Sequence, residues 1–133
     1  MQYGVSYYPE HKSPEELEHD IKLLIASNIN TVRMGEFAWC RMEPREGEYQ
    51  FDWLEDVVER LGEAGIRSII CTPTACPPSW LVYRYPEVLY VDNRGEKRPF
   101  GGRRFYCYNN PTYREYSRKI AKEIGERYSN RIA

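Results

Sequence analysis

Gln2-Tyr3-Gly4-Val5-Ser6-Tyr7-Tyr8-Pro9-Glu10-His11 reads as a short strand that runs into a proline-stopped loop. The strand is expected over about Gln2 to Ser6, and the loop holds Tyr8, Pro9, Glu10 and His11. Ser13-Pro14-Glu15-Glu16 follows as a helix start. Ser13 can accept from a free backbone N–H, Pro14 fits the first turn, and Glu16 completes a capping box. Leu17, Ile21, Leu24 and Ile25 recur on one helical face. The opening is therefore one strand–helix unit, its helix laid on a sheet.

The same alternation continues along the chain. Ile29 to Met34 is a second strand, β-branched at Ile29, Thr31 and Val32 but carrying Arg33 near its end. Asp52 is placed to cap a second helix with a buried stripe of Leu54, Val57, Val58 and Leu61, and Gly62 and Gly65 are candidate stops. Arg67 to Thr72 is a third strand. Ser68-Ile69-Ile70-Cys71 is nearly continuous in apolar character, as expected when both faces of a parallel strand are covered. Residues 73–109 then read as one long loop, with Pro73, Pro77, Pro78, Pro86 and Pro99 breaking any regular element. A loop of that length is uncommon without a task. Asn110-Pro111 opens a third helix with Tyr113, Tyr116, Ile120, Ile124 and Tyr128 on its apolar face, and Ile132-Ala133 looks like the first step of a fourth strand.

Alternating strands and helices with short links imply a parallel sheet and right-handed crossovers. Two closed solutions are common, the doubly wound sheet and the eight-stranded barrel. A dinucleotide fold would place a glycine-rich turn after the first strand. Tyr7-Tyr8-Pro9-Glu10 stands there instead, which favours the barrel. A whole (β/α)8 barrel takes roughly 250 residues. The expected fold class is accordingly α/β: residues 1–133 as one partial TIM barrel of about three βα units plus the start of strand four.

Composition narrows the function. The formal net charge is −1, with acids and bases interleaved and no basic stripe, so nucleic acid is not expected as a partner. No apolar run approaches ~18 residues, so no membrane span is expected. No leader-like segment precedes the first strand, and a cytoplasmic location with free thiols at Cys40, Cys71, Cys76 and Cys107 is the expectation. Aromatic residues make up 14%, including 12 Tyr and 3 Trp, which fits either a tyrosine-rich core and surface or a cleft that stacks sugars. Composition alone favours the first.

In such a barrel, chemistry sits at the C-terminal ends of the strands. That singles out Glu10 and His11 after strand one, Arg33 and Glu36 around the end of strand two, and Trp80, Arg103, Arg104 and Cys107 in the long loop. Arg33 is the sharpest signal, because a guanidinium at the end of an apolar strand needs a partner. The partner is either substrate and catalytic carboxylates or an internal ion pair with Glu36 or Glu10. Glu10 and Glu36 form a weak candidate acid–base pair, since the chain carries 20 acidic residues. The cysteine spacing contains no Cys-x2-Cys knuckle. His11 and His19 are most simply exposed, and no motif supports a Ser–His–Asp triad.

Four segments, in order, resemble glycoside hydrolase family 42: Gly4 to His11; Arg33-Met34-Gly35-Glu36-Phe37-Ala38-Trp39; Thr72 to Leu81 with Tyr85-Pro86-Glu87; and Gly102-Arg103-Arg104-Phe105-Tyr106-Cys107. The resemblance implies a retaining β-galactosidase acting on terminal β-galactosides. Its acid and nucleophile are two glutamates roughly 5–5.5 Å apart. In the family they follow strands four and seven, so residues 1–133 are expected to contain neither and to be inactive alone. The resemblance marks Arg33 and Arg103 as substrate or active-site contacts. It marks Cys107 as the first of four thiolates that hold structural zinc in many members. Zinc is thus not expected on residues 1–133 alone, though it would fit the full-length enzyme, which is expected to be a homo-oligomer. Lys12 and Tyr108 depart from the family pattern, which often has Trp and Pro there. The rival reading is a non-catalytic half-barrel that self-associates or binds sugar, since an open half-barrel has two unpaired edges.

Overall fold

A computed structural model describes residues 1–102 and 104–129. Three parallel strands, β1 (Gly4–Ser6), β2 (Thr31–Met34) and β3 (Arg67–Ile70), lie side by side in that order. The long helices are α1 (Pro14–Ala26), α3 (Asp52–Glu63) and α5 (Pro111–Tyr128), with short helices α2 (Trp39–Met42) and α4 (Ser79–Arg84) between them. This is the expected run of βα units. The first step of strand four, at Ile132-Ala133, falls outside the described residues.

The register pairs Gly4 with Thr31 and Thr31 with Arg67, then Ser6 with Arg33 and Arg33 with Ile69. Side chains alternate along a strand, so these six residues share one face of the sheet. Val32 and Met34 point the other way and are buried in the helix-packed core. Gly4 has a specific reason to be glycine. A Cβ there would lie 2.6 Å from the Thr31 carbonyl oxygen, so a side chain would push the first two strands apart.

Local signals place the helices. Ser13 Oγ accepts from the Glu16 amide at 3.2 Å, and the Glu16 carboxylate accepts from the Ser13 amide at 2.8 Å. Both halves of the capping box are made. The third helix buries the expected five residues, Tyr113, Tyr116, Ile120, Ile124 and Tyr128. Asn110 Oδ1 caps it by accepting from the Tyr113 amide at 2.9 Å.

Five expectations are corrected. Ile25 is 52% exposed, because Leu17, Ile21 and Leu24 already fill the contact with the core. Asp52 is the first helical residue of α3, with Phe51 at the cap position and no side-chain cap bond. Gly62 lies inside α3, while Gly65, at φ +74°, takes the left-handed conformation that follows the helix. The fourth correction is β3, which is not covered on both faces: Arg67 and Ile69 are exposed on the face that also holds Arg33. Last, the long loop is structured. Pro73 and Pro86 each start a single 3-10 turn, and α4 sits between them. Proline is tolerated in a first turn because its missing N–H would have no helical partner there.

Candidate active-site face

Arg33 stands near the C-terminal end of β2, on the open sheet face. A shallow cleft of about 230 Å³ runs along that face, lined by Gly4, Val5, Ser6, Thr31, Arg33 and Ile69. The chain then turns sharply at Gly35, whose φ is +83°. A side chain at Gly35 would be strained in that conformation, and its Cβ would sit 3.1 Å from the Met42 methyl. The turn folds Glu36 back so that its carboxylate meets the Arg33 guanidinium in an ion pair. Of the two internal partners expected for Arg33, the fold selects Glu36.

The first residue after β3 joins the pair. The Cys71 amide donates to the Met34 carbonyl at 2.9 Å, which holds the Cys71 thiol level with the end of β2. Burial pushes the Cys71 thiol pKa up, and the neighbouring Arg33 guanidinium partly offsets this. The pKa of Arg33 is raised, first by its hydrogen bond to Glu36, with contributions from the Cys71 thiol and the Tyr8 phenol. Arg33 therefore keeps its charge at any working pH. Sequence reasoning missed Cys71, although its place directly after a barrel strand was a usable signal.

Beside this polar cluster lies an aromatic pair. The Tyr7 amide donates to the Arg33 carbonyl at 2.8 Å, extending the β1–β2 ladder by one residue. Tyr8 follows, and its ring lies 6.2 Å from that of Phe37 with 23° between the planes. Both rings are about two-fifths exposed. His11 is exposed. Glu10 is different: both carboxylate oxygens are buried and have no hydrogen-bond partner among the described residues. Its backbone carbonyl accepts from Arg41.

Below the face, a second set of carboxylates is structural. Glu43 is 1% exposed. It accepts from Trp39 Nε1 at 2.8 Å and from the Gly47 amide at 2.9 Å, and burial raises its pKa. Trp80 Nε1 donates to the Glu43 backbone carbonyl at 2.8 Å, tying α4 to the segment after β2. Glu46 accepts from the hydroxyls of Tyr116 and Tyr85 and pairs with Arg84 at 2.5 Å. The Tyr116 hydrogen bond is the main reason its carboxyl is held below the ordinary range. Trp80, weighed above as a site residue, is thus engaged as an anchor.

Arg103 lies outside the described residues. Cys107 is half-buried, with its amide donating to the Val88 carbonyl at 2.8 Å, which fixes the end of the long loop. Among the described residues no group of three or more His, Cys, Asp or Glu side chains converges to hold a metal. One thiolate does not make the four-ligand set of a structural zinc, so residues 1–129 do not by themselves fit the zinc that the resemblance implies. All four cysteines are free thiols. Among the described residues no helix is long and apolar enough to cross a membrane.

Comparison with known proteins agrees with this geometry. The family model described as β-galactosidase, glycoside hydrolase family 42, matches residues 6–133. The β-galactosidase BgaH of Haloferax lucentense is 45% identical over 130 residues, which cover 98% of this chain and 20% of that protein. A β-galactosidase of Thermus thermophilus is 46% identical over 125 residues, covering 94% of this chain and 19% of its own length. Among solved structures, the β-galactosidase of Halorubrum lacusprofundi superimposes with a TM-score of 0.91 at 41% identity, over 96% of this chain and 19% of that one. The β-galactosidase of Bacillus circulans gives a TM-score of 0.92 at 37% identity, over 97% and 19%. The chain thus spans about a fifth of the length of the relatives it matches. With the motifs, the parallel βα units and the family match in register, the chain belongs to glycoside hydrolase family 42, the β-galactosidase family, and corresponds to the N-terminal part of its (β/α)8 barrel.

Proposed function

We propose that residues 1–133 form the opening units of a retaining β-galactosidase barrel, with Arg33 and Arg103 as contacts to the terminal galactoside. The observation that carries this reading is Arg33 itself. It is a permanent cation at the mouth of the sheet, held by Glu36 and open to the cleft. A guanidinium offers rigid, paired N–H donors to sugar oxygens and to catalytic carboxylates. In this reading the acid that protonates the glycosidic oxygen and the nucleophile that attacks the anomeric carbon come from later strands of the barrel. Glu36 serves Arg33 instead. Cys107 supplies one thiolate to a structural zinc when the remaining ligands are present. The whole enzyme is read as cytoplasmic and homo-oligomeric, with a β-galactoside as substrate and neither nucleic acid nor membrane as partner.

Residues 1–133 alone are expected to give no turnover of a chromogenic β-galactoside. Turnover above an empty-vector control, abolished by Glu36→Gln, would overturn that. The positive test is a segment exchange. Residues 1–133 replace the matching segment of the Thermus thermophilus enzyme, and the chimera is assayed on the same substrate. A folded chimera is expected to be active and to lose at least ~100-fold in kcat/KM on Arg33→Ala. A folded, inactive chimera would sink the assignment.

A second reading rests on the open sheet. Among the described residues β1 and β3 each pair on one side only, and Val5 and Ile69 are 40% and 49% exposed. Unpaired edges of this kind favour strand addition between copies. Gel filtration of residues 1–133 separates the two, since edge pairing predicts a dimer or larger species.

A further inference from the structure

We propose that Tyr8 and Phe37 form the platform for the second sugar of a β-galactoside, the leaving-group sugar, next to the Arg33 contact; this rests on the reading of Arg33 given above. Isolated exposed aromatics need no explanation. This pair is distinguished by its place. Tyr8 comes from the loop after β1 and Phe37 from the turn after β2, and the two rings meet near-parallel across that gap. The loops are locked together at the strand ends by the hydrogen bond from the Tyr7 amide to the Arg33 carbonyl. The platform is therefore carried on the same strand ends as the Arg33–Glu36 pair.

Phe37 follows Glu36 directly, so the turn at Gly35 that aims the carboxylate at Arg33 also fixes where the ring emerges. The result is a near-parallel aromatic pair, each ring about two-fifths exposed, beside a fixed cation. A hexose has the matching halves. One face carries C–H groups with partial positive charge that suit the electron-rich face of an aromatic ring, and its edge carries hydroxyls that accept from a guanidinium. A disaccharide can satisfy both at once, with one sugar at Arg33 and the next on the rings. A monosaccharide glycoside with a methyl leaving group satisfies only the first.

The test is a nuclear magnetic resonance titration of the intact 133-residue chain with methyl β-D-galactoside and with lactose. Methyl β-D-galactoside is expected to shift the Arg33 side-chain resonance. Lactose is expected to shift Arg33 and, in addition, the Tyr8 and Phe37 ring resonances, and to bind more tightly. Phe37→Leu and Tyr8→Ala are expected to weaken lactose about fivefold and leave methyl β-D-galactoside unchanged, while Tyr8→Phe keeps lactose binding. An unchanged amide spectrum away from the substitution certifies folding in each variant. If both ligands shift Arg33 but lactose binds wild type and Phe37→Leu equally, the platform is wrong and the Arg33 reading stands. If neither ligand shifts Arg33, the Arg33 reading fails and takes the platform with it.

Discussion

Three of the four glutamates in the segment between β2 and α3 have different fates. Glu36 sits at the mouth of the sheet, paired with a solvent-accessible arginine. Glu43, seven residues on, is sealed beneath Trp39 and accepts two neutral donors. Glu46 lies next to it, gripped by two tyrosine hydroxyls and Arg84. All three look alike in sequence. What separates Glu36 from Glu43 is the solvent around them; Glu46 is about as exposed as Glu36 and differs from it in having more partners. An ion pair in water is worth little to folding and leaves its members able to bind something else. A buried carboxylate must have its hydrogen bonds made, and losing them exposes the full cost of desolvation. On the reading proposed for Arg33, Glu36 belongs to a site and Glu43 to the scaffold that holds the site still.

Three substitutions would break or sharpen that contrast. The largest effect is expected at Glu43. Glu43→Ala leaves the buried Trp39 indole and the Gly47 amide without acceptors and opens a hole, at a cost of about 3 kcal/mol. The urea midpoint should fall accordingly, and a midpoint close to wild type would show that Glu43 is not part of the scaffold. Its acid–base behaviour adds a sign. Burial raises the folded-state pKa of Glu43, so the folded chain holds that proton more tightly than the unfolded chain. The resulting contribution to stability is present at low pH and lost as pH rises through the raised value.

Gly35→Ala should be intermediate. The position requires φ +83°, and the added methyl presses on Met42. A loss of about 1–2 kcal/mol is expected, with the Arg33–Glu36 pair displaced, seen as a changed Arg33 resonance. An Ala variant as stable as wild type would mean that the turn relaxes without cost. The smallest effect on folding is expected at Arg33. Arg33→Ala should leave the urea midpoint of residues 1–133 unmoved, because its pair is exposed, while removing the sugar-dependent signals. A large fall in the midpoint would move Arg33 from the site to the scaffold.

Much of this was legible in the sequence where the physics is local. The Ser13–Glu16 capping box, the spacing of the α5 stripe and the order of strands and helices depend on neighbours within a few residues. The pairing of Arg33 with Glu36 was one of two internal options, and the left-handed turn at Gly35 selects it. Other features were illegible because distant parts of the chain decide them. Ile25 has the right helical phase for burial, yet the core is already closed by Leu17, Ile21 and Leu24. The α4 helix has only six residues and lies in a proline-rich stretch. It is held in place by the bond from Trp80 to a carbonyl 37 positions earlier.

The sequence by itself determined the parallel βα order and the family, because periodicity, caps and ordered motifs are written in consecutive residues. Only the tertiary structure decided which glutamates are sealed and which stay open. It alone brought Cys71 beside Arg33, and Tyr8 beside Phe37. Those outcomes depend on which strand ends and loops become neighbours, and parallel strands bring together residues that the chain keeps about thirty positions apart.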